Sequence, residues 1–162
     1  MGMLAIAGLS FGQARDENKE VLRGLDKVHV VVERLRAEIE QDGLFASTLQ
    51  KDIDLKLTLA GIKVLSEEEY LKIPCVADLY LHVDALKYAQ GYTYRIQLSL
   101  LEPVMVLRKR IQVTGTTFRM HDELGMTEHL SEVREEARDL LDKFIEMWQA
   151  VNSQKGKAGT PP

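Results

Sequence analysis

The chain has 162 residues, 45% hydrophobic and 28% charged, with a formal net charge of −4. That length fits one domain, which at this size buries about 68–70% of its unfolded surface. The acidic balance argues against a nucleic-acid partner, which needs a clustered Lys/Arg face, and a single cysteine excludes a disulfide framework.

The chain opens MGMLAIAGLSFGQAR, with no charged side chain before Arg15. Met3 to Phe11 is an apolar run of secretory length. Gly12 and Ala14 place small residues three and one positions before a cut between Ala14 and Arg15. Residues 1–14 are therefore expected to be a cleaved signal peptide, and the product to be periplasmic or secreted. The n-region is incomplete, because no Lys or Arg precedes the run. The alternative is a cytoplasmic protein with a docked N-terminal segment. A bilayer span takes about 20 apolar residues, so no integral membrane segment is expected.

Residues 15–23 are polar and read as a flexible lead-in. Val28, Val30 and Val32 then alternate with His29, Val31 and Glu33, a β-branched strand pattern. RAEIEQDGLFA reads as a loop. STLQKDIDLKLTLAGI carries helix signals: a capping box from Ser47 and Gln50, Asp52 and Asp54 toward the positive end of the dipole, and Gly61 as the stop. Its apolar stripe is Leu49, Ile53, Leu57 and Ala60. IKVL is a short strand. Ser66 caps a helical turn through Glu67, Glu68 and Glu69, which Pro74 ends.

A hairpin follows. Leu79, Leu81 and Val83 face one way, and Asp78, Tyr80, His82 and Asp84 the other. The return strand alternates Tyr94, Ile96 and Leu98 with Arg95 and Gln97, and Gly91 lies near the turn. Pro103 suggests a bulge or an edge position. Cys75, at the start of the hairpin, reads as a small buried thiol rather than a nucleophile. Arg108, Lys109 and Arg110 form a basic run at the next turn. They read as a solvated tip, with contact to anionic lipid or glycan as the functional alternative. A last strand runs from about Gln112 to Met120. The closing helix carries an apolar stripe through Leu130, Val133, Leu140, Phe144 and Trp148. Residues 153–162 are polar, rich in Gly and Pro, and read as a disordered tail.

The expected order is β-α-β-β-β-β-α in one domain over residues 22–152. Clean alternation implies a mixed, mostly antiparallel sheet with one apolar face. Two helices on that face make an α+β two-layer sandwich.

Phosphate-loop, nucleophile-elbow and zinc-protease motifs are absent, so no cofactor is expected and the function reads as non-enzymatic. The leading expectation is an extracytoplasmic interaction or envelope-assembly module. Its contact face would be the polar side of the sheet, with Tyr80, His82, Asp84 and Arg95, and an envelope protein or glycan would be its partner. Asp84 and Arg95 would form a cross-strand ion pair worth at most about 1 kcal/mol. One alternative is a metal site from His29, His82 and His121 with nearby carboxylates, which zinc would suit. Another is a structural subunit of a homo-oligomer.

GLDKVHVVVERL, LKLTLAGIKVL, TTF and LLDKFIEMWQAVN, spread over most of residues 22–152, resemble a family of small, uncharacterised exported bacterial proteins. The layout is also similar to the N-terminal α/β domain of the periplasmic protein TolB and related envelope-assembly modules. Both resemblances imply a fold and attach no activity to any residue.

Overall fold

The computed structural model describes residues 19–120 and 122–153. The proposed signal peptide and its cut at Ala14/Arg15, the tail beyond Ser153 and His121 lie outside the described residues. Among the described residues, six strands form one sheet: β1 (Lys27–Val32), β2 (Lys63–Leu65), β3 (Ala77–Tyr88), β4 (Gly91–Val106), β5 (Ile111–Arg119) and β6 (Glu123–Thr127). The described residues also form four α-helices: α1 (Ala37–Gln41), α2 (Ala46–Ala60), α3 (Glu67–Tyr70) and α4 (Leu130–Asn152). The strand order is β2-β1-β3-β4-β5, and β6 pairs with the first part of β4. β1 runs parallel to β2 and β3, and every other pairing is antiparallel. The sheet is thus mixed and mostly antiparallel, and the fold is an α+β two-layer sandwich.

Alternation decides which face is buried. Val28, Val30, Leu79, Leu81, Ile96 and Leu98 point inward and are buried. The stripes of α2 and α4 cover them with Leu49, Ile53, Leu57, Leu140 and Phe144. Two ion pairs tie these helices together, Arg134 to Asp52 at 2.6 Å and Lys56 to Asp142 at 2.5 Å. Each fully buried aliphatic side chain contributes very roughly 1.5–3 kcal/mol, more than a solvated ion pair supplies. Gly61 ends α2 in the left-handed conformation at φ +91°, where a Cβ would be strained. Ser66 and Glu69 form a complete capping box on α3.

Within the supposed lead-in, Glu20–Leu22 forms a 3-10 turn whose Leu22 is fully buried. The stretch read as a loop holds α1, because Leu35, Ile39 and Leu44 all find core contacts. α2 starts at Ala46 with Phe45 as its N-cap and no side-chain cap bond. Gln50 instead donates to the Val30 carbonyl and to Asp54, so Ser47 and Gln50 make no capping box. Cys75 is exposed at φ +60°, because it sits in the turn between Pro74 and the start of β3 at Ala77. The sequence reading ends its strands at Met120, whereas Glu123–Thr127 forms β6 against β4.

Candidate functional site: the outer face of the sheet

The two-residue period of a strand and the sheet register together place the outward side chains. His29 stands beside Asp78 and Val31 beside Tyr80. Across β3 and β4, His82 stands beside Gln97, Asp84 beside Arg95 and Leu86 beside Thr93. On β6, Leu124 stands beside Arg95 and Met126 beside Thr93. The long helices occupy the opposite face, and α3 lies over one corner of this one.

At that corner the His29 ring stacks on Tyr70, with centroids 4.2 Å apart and planes at 19°. His29 Nδ1 lies 2.9 Å from one oxygen of Asp78, and the Tyr70 hydroxyl donates to the other at 3.2 Å. A carboxylate only accepts, so Nδ1 is the donor in this contact. Nε2 lies 3.1 Å from Glu67 Oε2. α3 is anchored beside this cluster by Glu69, whose carboxyl is held down at about 2. The Lys63 ammonium is the main cause and the Ser66 backbone N–H the next. Burial, aided by the Asp78 charge, pushes the Tyr70 phenol up.

In the middle of the face Glu33 Oε2 accepts from the Tyr80 hydroxyl and from His82 Nδ1, each at 2.5 Å. Those two bonds, Tyr80's first, hold the Glu33 carboxyl below its ordinary range. The same bond to Glu33 raises the Tyr80 phenol. Further along, Asp122 accepts from Gln97 Nε2 at 2.8 Å and from Arg95, and Gln97 is the larger cause of its lowered carboxyl.

Beyond this polar band the face turns apolar. Leu124 is 72% exposed and Met126 69% exposed. With Leu86 and Thr93 they line a shallow depression of about 470 Å³ bordered by Asp84 and Arg95. Exposed aliphatic side chains set together and rimmed by charge mark contact surfaces more often than isolated ones do.

Of the four expected contact residues, Tyr80 and His82 are joined through Glu33. Asp84 and Arg95 are register partners but bond elsewhere: Arg36 Nε donates to Asp84 at 3.1 Å, and Arg95 pairs with Asp122. The expected cross-strand ion pair is therefore replaced by two others. Among the three histidines of the alternative, His29, against Asp78 and Glu67, and His82, against Glu33, lie in separate clusters. His82 lies four positions beyond Asp78 on β3, about 13 Å along the strand. Among the described residues no three His, Cys, Asp or Glu side chains converge on a common metal position. Leu86, Leu124 and Met126 were not expected at the site. The available signal was Leu124 and Met126 two apart in ELGMT, a strand alternation too short to stand out beside a long helix.

Fold and face together define a small α+β domain whose outer sheet surface joins a bonded polar band to an exposed apolar patch. No protein-family model matches the chain, and no curated protein matches it. Among solved structures, a leucine-to-methionine variant of PelC, a dodecamer from Paraburkholderia phytofirmans, aligns at 18% identity with a TM-score of 0.44. The alignment covers 78% of this chain and 90% of that one.

Proposed function

We propose that the chain is a non-enzymatic interaction module working outside the cytoplasm, and that the outer face of its sheet is the contact surface for an envelope component. The carrying observation is the exposure of Leu124 and Met126 beside Leu86, next to polar side chains already fixed by Glu33 and Asp122. Pre-bonded side chains lose little rotamer freedom on association, and the apolar patch supplies the desolvated centre that stable contacts need. Support for export comes from the apolar run over residues 3–11 and the small residues Gly12 and Ala14. A second copy of the chain is the other candidate occupant of the face, as a homo-oligomer would require.

The test compares native-gel mobility of the chain in extracts of fractionated cells with that of a Leu124→Glu/Met126→Glu variant. The wild-type chain is expected in the periplasmic fraction, beginning at Arg15, and in a complex heavier than a monomer. The variant should run as the monomer. A cytoplasmic product, or identical mobility of the two, would contradict the reading.

A further inference from the structure

One segment runs against the charge of the rest of the chain. From Pro103 to Met120 the sequence holds Arg108, Lys109, Arg110 and Arg119 and no carboxylate, so the other residues carry a net −8 against the whole chain's −4. This segment is the distal half of the β4–β5 hairpin. Beyond a register shift at Leu100/Leu101 the two strands pair from Leu101 and Thr116 out to Val106 and Ile111. That ladder is about 20 Å long. The turn Leu107–Arg110 closes it, with the N–H groups of Lys109 and Arg110 both donating to the Val106 carbonyl at 3.1 and 2.8 Å. Arg110 sits in the left-handed region at φ +54°.

No residue from Pro103 to Thr114 is buried. Leu107 is 85% exposed and Met105 54% exposed, and Ile111 and Val113, which pair with Val106 and Val104 on the other face of the ladder from Met105, are exposed as well. Among the described residues Arg108, Lys109 and Arg110 have no ion-pair partner. The arm therefore presents aliphatic side chains and free cations from a ladder whose hydrogen bonds are already made.

We propose that this arm docks the protein, tip first, on an anionic lipid surface. A run of cations flanked by exposed aliphatic side chains suits the headgroup boundary, where charge meets phosphate and apolar groups enter the acyl layer. A solvated tip would gain nothing from Leu107 and Met105. The shallow depth of such contact leaves the turn's remaining backbone groups within reach of water and headgroups. The net negative charge elsewhere repels the same surface, which orients the molecule with the arm toward it. The proposal is independent of the outer-face reading, because Thr93 and Val106 are separated by about 40 Å along β4.

The test floats the full chain with phosphatidylcholine vesicles, with and without phosphatidylglycerol. Binding is expected to the anionic vesicles alone and to weaken with salt. Arg108→Glu/Lys109→Glu should lower the partition coefficient by about 30-fold or more, and Leu107→Ser by about tenfold. Thermal melting should be the same for all three chains, since the changes lie in an exposed turn. No binding by the wild-type chain overturns the proposal. Equal binding by wild type and both variants also overturns it, by assigning the contact to another segment. Binding to soluble heparin without binding to vesicles overturns it in favour of a glycan.

Discussion

Asp84 and Arg95 stand directly opposite each other in the β3–β4 ladder, yet each bonds away from the other: Asp84 takes Arg36 from β1's side and Arg95 takes Asp122 from β6's side. The outer face is thereby stitched across its full width instead of along one strand pair. A double-mutant cycle on Asp84→Asn and Arg95→Gln, followed by urea unfolding, should give a coupling energy near zero. The cycle on Arg95→Gln and Asp122→Asn should give roughly 0.2–1 kcal/mol, the range for solvated pairs.

Glu33 links the same face to pH. Its folded carboxyl lies below the unfolded value, chiefly through Tyr80 and then His82. A depressed acid stabilises the fold above its unfolded value, and that contribution disappears as pH falls through the lowered folded one. Tyr80 is shifted the other way, so its contribution holds below its unfolded value and is lost as pH rises through the raised folded one. The stability difference between wild type and Glu33→Gln should therefore be largest near neutrality and shrink in acid. With Glu33 partly exposed, the neutral-pH difference should not exceed about 1 kcal/mol. Urea midpoints followed by fluorescence of Trp148, whose indole N–H donates to the Leu25 carbonyl at 2.7 Å, measure it.

Phe144 is fully buried and meets Phe118 edge-on, with centroids 5.9 Å apart. Phe144→Ala should cost about 3–5 kcal/mol, from lost transfer energy and the cavity left behind. Leu59 on α2 is exposed, and Leu59→Ala should change stability by less than about 0.5 kcal/mol. Chemical denaturation of both variants checks the contrast.

Gly91 holds β4 close to β6. Its φ is +145°, and a Cβ there would lie 2.2 Å from the Thr127 carbonyl oxygen. Gly91→Ala must displace backbone, so it should destabilise by more than about 1 kcal/mol. The displaced strand is β6, which carries Leu124 and Met126. Amide exchange in Glu123–Thr127 should accelerate more than exchange in β3.

The legible parts of the fold were those with many consistent residues. Strict alternation on both sides of Gly91 set the β3–β4 register, down to Asp84 facing Arg95. Helical spacing from Leu130 to Val151 set α4, and Ser66 with Glu69 marked α3. Short elements held by tertiary contact were hidden. α1 has five residues and is fixed by burial of Ile39. β6 has five residues and is fixed by the first part of β4, with which it pairs. Alternation from Ala77 extends naturally backward and implies a buried Cys75, whereas the turn after Pro74 is set by φ at Cys75 itself. Of the site, Tyr80 and His82 were legible from their strand. Their joint partner, Glu33, depends on a parallel β1–β3 register that no local pattern reveals.

The central claim is that the outer face meets a partner, and site-specific photocrosslinking in living cells tests it most directly. A photoreactive residue at position 124 should yield a discrete adduct, while the same residue at position 59, exposed on the helical layer, should yield none. An adduct of twice the chain mass would identify the partner as a second copy. Adducts equal at both positions, or absent from position 124, would contradict the account.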